Sequence, residues 1–131
     1  MKVVLDTNVL MAGLLKDSIV RCVLSFSNIE FFLPEDALEE VKKYKTDLLK
    51  KSGYTNKEFD QIMNSLLENI KLVSRDAVKI YLKKAEEIMK NIDIKDSLFI
   101  AVALATVADG IWSFDEHFLK QSSVKVFTTK D

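Results

Sequence analysis

One cysteine, one histidine, one proline and three glycines are all that the 131 residues hold of these types. The lone Cys22 excludes an intramolecular disulfide and any zinc site built from several cysteines. With Val20, Val23 and Leu24 around it, it is expected to be a buried, inert thiol. The single His117 excludes a histidine cluster and is expected to face solvent. Scarce Pro and Gly, with a hydrophobic fraction of 48%, fit a compact helix-rich globule rather than a disordered or fibrous chain. An excess of charge is also missing: 19 basic residues face 20 acidic ones, which argues against binding nucleic acid by bulk basicity. No long apolar run is present at the start, because Asp6 and Asn8 interrupt the first one too early for a signal peptide or a membrane span. A cytoplasmic protein without membrane contact is expected, and the length suits one domain over 1–131.

What is present is alternation. Five short β-branched or aromatic runs, at 2–5, 30–33, 71–73, 110–112 and 124–127, are separated by helical patterns. That order predicts an α/β fold with a parallel sheet covered on both faces. Two helices are expected between Thr7 and Asn28, broken near Asp17 and Ser18. Pro34 suits the first turn of the next helix, with Glu35 and Asp36 at the positive end of its dipole. Ser52-Gly53 should end that helix, and Thr55 with Glu58 reads as a capping box opening another. A polar-faced helix follows Ser74, and a second start near Asp93 or Asp96 introduces the strongly apolar run from Leu98 to Val107. Lysines 42, 43, 45, 50 and 51, and lysines 83 and 84, are either solvated helix faces or a basic rim that guides a polyanion.

Acidic residues stand where such a fold displays a ligand site. Asp6 follows the first strand, and in open parallel sheets ligands bind beyond the carboxyl ends of the strands. It could equally cap the next helix, as could Thr7 or Asn8. Helical phase separates Glu40 from Glu39: at about 100° per residue, Ala37, Val41, Tyr44 and Leu48 form one inward stripe, with Glu40 on its flank and Glu39 nearly opposite. Asp96 opens a helix apolar almost all round, and Asp93 three residues earlier is either a cap or a companion acid. Asp115 lies past the fourth strand, with Ser113 two residues before it, and also fits the cap of a short helix around Glu116. Four carboxylates converging on one pocket would repel one another unless a divalent cation sat among them, which points to metal-dependent phosphodiester chemistry.

In this order of acids the chain resembles a PIN domain from near its first residue to near its last: Asp6-Thr7-Asn8, then Leu38-Glu39-Glu40-Val41, then Asp93-Ile94-Lys95-Asp96 running into Ser97-Leu98-Phe99-Ile100-Ala101-Val102-Ala103-Leu104, then Trp112-Ser113-Phe114-Asp115. The third segment is the most specific. The resemblance, closest to single-domain prokaryotic PIN proteins of the VapC type, implies a three-layer α/β/α sandwich with a central parallel five-stranded sheet. It implies cleavage of RNA with Mg²⁺ or Mn²⁺, often as a homodimer, and in many relatives restraint by an antitoxin protein. By it, Asp6, Glu40, Asp96 and Asp115 take the catalytic and metal-binding roles, Asp93 is an added acid, and Thr7, Asn8 and Ser113 support them.

Carboxylate ligands suit hard cations, which lower the pKa of a coordinated water, so no amino-acid nucleophile is assigned. A rival reading is a catalytically weak PIN-like module that binds RNA or protein. A phosphatase or receiver-type domain would want an Asp-x-Asp pair, whereas Asp6 is followed by Thr7-Asn8.

Overall fold

The computed structural model describes residues 1–15, 19–26 and 28–128. Its centre is a five-stranded, all-parallel sheet of β1 (Lys2–Leu5), β2 (Glu30–Pro34), β3 (Ile70–Val73), β4 (Gly110–Trp112) and β5 (Val126–Phe127), in the order β3-β2-β1-β4-β5. Apart from their first residues, β1 and β2 are buried, as is all of β4, and this two-sided burial is why these strands read as unbroken apolar runs. The expected strands are all found; the third begins one residue earlier and the last two residues later.

Helices cover the sheet on both faces. One group comprises α1 (Thr7–Leu14), α2 (Ile19–Phe26), α3 (Glu35–Lys43), α4 (Lys45–Ser52) and α5 (Asn56–Leu67), which pack mainly on one another around α1. The other is α6 (Lys79–Met89) and α7 (Ser97–Thr106), with α7 lying on β1, β2 and β4 and α6 packed against α7. Residues 97–103 of α7 are all buried, because the helix has the sheet on one side and α6 on the other. This is the three-layer α/β/α sandwich. Gly53 ends α4 with φ 75°, a left-handed cap that costs glycine little, and the Thr55–Glu58 capping box opens α5 with bonds of 3.1 and 3.0 Å.

Four expectations need correction or fall away. Pro34 closes β2 and caps α3 instead of lying in its first turn. The helix expected to run through Tyr44 breaks there (φ −95°, ψ 9°), and Tyr44 is exposed; the 3.6-residue spacing continued across the break because α3 and α4 each keep their apolar face inward. Cys22 is exposed, since Val20 and Leu24 take the inward face of α2 and a residue two places along a helix turns about 200° away. The break near Asp17 and Ser18 lies outside the described residues, though the two flanking helices are present. No helix among the described residues is long and apolar enough to cross a membrane.

Candidate metal centre

The sheet order fixes where a site can form. From β1 the chain moves one way, to β2 and β3; from β4 it moves the other way, to β5, so the crevice lies between the carboxyl ends of β1 and β4. Leu5 pairs with Trp112, which sets the next residues, Asp6 and Ser113, side by side. Ser113 donates its hydroxyl to Asp6 Oδ2 at 2.6 Å, and the Thr7 amide donates to Oδ1 at 2.7 Å. Asp6 is buried, 6% exposed, and burial is the largest cause of a pKa above the ordinary carboxylate value; the two hydrogen bonds oppose that rise, while Asp115 and Glu40 add to it by repulsion.

Asp96 arrives from the other layer. The helix α7 is about 15 Å long, close to the span of a strand, so a helix whose last turn feeds β4 begins at the carboxyl edge of the sheet. Among the described residues Asp96 caps it without a side-chain hydrogen bond, and its Oδ2 lies 3.9 Å from His117 Nδ1. Its pKa is pushed up to about 6, by burial first and then by Asp6, Asp93 and Asp115, with His117 working in the opposite direction. Asp93 uses Oδ1 to accept the Lys95 amide at 3.0 Å, while its Oδ2 faces His117, so it is both a cap and a member of the cluster.

Asp115 accepts the His117 amide at 2.9 Å and caps the 3₁₀ turn Glu116–Lys120, as the sequence suggested. Phe118 in that turn is fully buried and meets Phe99 of α7 edge-on, with centroids 6.0 Å apart, which holds the turn against the start of α7. Glu40 comes from α3, which follows β2 at the same edge. Although exposed, it lines the cleft together with Asp6, Asp93, Asp96 and Asp115, whereas Glu39 does not. The cleft has a volume of about 360 Å³, and Thr7, Asn8, Met11, Lys95 and Phe99 complete its wall. Thr7 Oγ1 and Asn8 Oδ1 are buried there and have no hydrogen-bond partner among the described residues.

All the acids named from the sequence therefore meet in one cleft, with Thr7 and Asn8 in its wall and Ser113 bonded to Asp6. Two residues were missed. Lys95 was passed over as a linker between two acids. His117 was expected to face solvent, and its side chain is 45% exposed, but its Nδ1 also lies 3.3 Å from Asp115, 3.6 Å from Asp93 and 3.9 Å from Asp96. Its position two residues beyond a strand-end acid was the available signal.

The sequence profile of the PIN domain matches residues 4–131. The chain belongs to the PIN domain family. Among solved structures, VapBC2 from Rickettsia felis, bound to a DNA fragment from their promoter, aligns with a TM-score of 0.73 at 15% identity, covering 98% of each chain. FitAcB from Neisseria gonorrhoeae aligns with a TM-score of 0.68 at 20% identity, again over 98% of each chain. At these identities the likeness is one of fold. Comparison with curated proteins gives no match. The acid cluster thus sits at the topological switch point of a PIN sheet.

Proposed function

We propose that residues 1–131 form a single PIN domain acting as a divalent-cation-dependent endoribonuclease. The observation that carries the reading is the set of five carboxylates, Asp6, Glu40, Asp93, Asp96 and Asp115, around one cleft, with Asp6 buried and Asp96 pushed up to about 6. An assembly of like charges is kept in a fold only if something offsets it, and at neutral pH a cation is the simplest agent. The donor set fits Mg²⁺ or Mn²⁺: carboxylate oxygens, with the unpartnered Thr7 hydroxyl and Asn8 amide oxygen beside them. Membership of a family of nucleases supports the same conclusion.

In this reading Asp6, Asp96 and Asp115 hold the cation, and Asp93 adds charge at its rim. When bound, the ion neutralises the acids and supplies Lewis acidity to water and phosphoryl oxygen. Ser113 fixes the orientation of Asp6 through the 2.6 Å bond. Glu40, reaching in from α3 on the opposite wall, orients the attacking water and accepts its proton. Lys95 at the mouth offers a positive charge to the phosphate backbone, which a cleft of acids would otherwise repel. Incubating the purified chain with labelled RNA tests the reading: cleavage should require Mg²⁺ or Mn²⁺ and stop with chelator. Cleavage that survives chelation, or none with either ion, would contradict it.

The fold likeness to VapBC2 and FitAcB supports a cytoplasmic toxin restrained by an antitoxin protein. Co-expression with the product of the adjacent reading frame should then relieve any growth arrest, and an unrelieved arrest would remove the antitoxin from the account. The homodimer belongs to the same proposal and is tested by light scattering, which should give twice 14.9 kDa.

A further inference from the structure

We infer that Asp93, Asp96 and His117 form a mixed oxygen–nitrogen cation site at the mouth of the cleft, whose imidazole makes the protein prefer Mn²⁺ and later first-row ions to Mg²⁺. The inference rests on the cation-dependent reading above and names the ion class that reading leaves open. One ligand atom from each of the three residues lies within 4.8 Å of the others. His117 Nδ1 is 3.6 Å from Asp93 Oδ2 and 3.9 Å from Asp96 Oδ2. Two adjacent donors each about 2.1 Å from an octahedral ion are about 3.0 Å apart, so the imidazole and the two carboxylates would each have to close by less than about 1 Å to share a cation.

The His117 side chain is 45% exposed, but its Nδ1 is a buried atom with no hydrogen-bond partner among the described residues despite three surrounding carboxylates. The ring is held in this pose from below. Its own amide donates to Asp115, and the adjacent Phe118 is locked against Phe99. A second observation comes from the lining that Asp93 and Asp96 share: Thr7, 7% exposed, lines the same cleft and its hydroxyl oxygen has no hydrogen-bond partner among the described residues. The cleft thus offers oxygen donors in its lining, and His117 sets a nitrogen donor beside two of them, Asp93 and Asp96. Mg²⁺ favours oxygen ligands and gives up water reluctantly, whereas Mn²⁺, Co²⁺ and Zn²⁺ accept imidazole with rising affinity along the series. A nitrogen in the donor set therefore acts as a selector.

The test uses the 131-residue chain without a histidine tag and Mn²⁺ alone as probe, read by pulsed electron paramagnetic resonance for coupling to ¹⁴N. Because His117 is the sole histidine, an imidazole signal has one source. Coupling in the parent protein that is absent in His117→Gln, with the Mn²⁺-over-Mg²⁺ preference in calorimetry reduced about tenfold or more, is the expected result. Mn²⁺ bound without ¹⁴N coupling in the parent, or coupling that persists in His117→Gln, overturns the inference and leaves the cation-dependent nuclease standing. No Mn²⁺ binding at all overturns both. Should His117→Gln fail to fold, the parent spectrum alone decides.

Discussion

Replacing Asp96 by Asn in the cation-free protein should make it more stable while removing its function. The carboxylate has an ordinary value near 3.8 and is pushed up to about 6 in the fold, with a side chain 20% exposed. At face value that difference corresponds to about 3 kcal/mol, and screening in an open, wet cleft reduces it to about 1.5 kcal/mol. Losing a negative charge from the start of α7 gives back about 0.5 kcal/mol of helix-dipole stabilisation. No cap hydrogen bond is lost, since Asp96 makes none among the described residues. The net gain is about 1 kcal/mol, or a rise of about 4 °C in Tm for a domain of this size. The sign with pH follows from linkage. The folded form holds the Asp96 proton more tightly than the unfolded form, so this contribution is fully present below about pH 4 and is lost as pH rises through 6. The advantage of Asp96→Asn should thus be small at pH 4, grow through pH 6 and level off above pH 7. Thermal melts in chelator across this range are the assay. Saturating Mn²⁺ should invert the order, because a cation at 100 times its Kd stabilises the parent by about 2.7 kcal/mol and the variant by less. An advantage that does not vary with pH, or a variant less stable than the parent at pH 7.5 in chelator, would refute the reasoning.

Other substitutions probe separate links. Glu40→Gln should slow single-turnover RNA cleavage at least about tenfold, equivalent to about 1.4 kcal/mol, while Glu39→Gln leaves it nearly unchanged; equal losses would remove Glu40 from the site. Ser113→Ala removes the 2.6 Å bond to a buried carboxylate and should cost about 1–3 kcal/mol in denaturant unfolding at pH 7, and a neutral result would mean that Asp6 is held by other groups. Val107 ends α7 in the left-handed region (φ 54°, ψ 46°) and the residue is 81% exposed, so Val107→Gly should raise stability by about 1 kcal/mol without altering cleavage; a loss of stability would show that the strain is absent.

The parts of this protein legible in the sequence are those governed by local rules. Strands buried on both faces must be apolar throughout, which exposed β1, β2 and β4, and the Thr55–Glu58 box and Gly53 marked helix ends because backbone groups there need partners. Asp6, Asp96 and Asp115 stood out because each opens an element at one edge of the sheet. Periodicity could not reveal the break at Tyr44, since an inward stripe survives a bend that keeps both segments facing the core. Neighbours along the chain misled at Cys22, where helical phase decides burial. His117 was hidden for another reason: its Nδ1 meets Asp93 and Asp96 only because the Phe99–Phe118 contact docks the turn against the start of α7, and no local pattern encodes such a contact.

Anomalous scattering from crystals soaked in Mn²⁺ tests the central claim most directly. A difference peak at the acid cleft, among Asp6, Asp93, Asp96 and Asp115 and weakened in Asp96→Asn, is the predicted result. A cleft without a peak in crystals of protein that cleaves RNA in Mn²⁺, or a peak bound elsewhere on the surface, would contradict it.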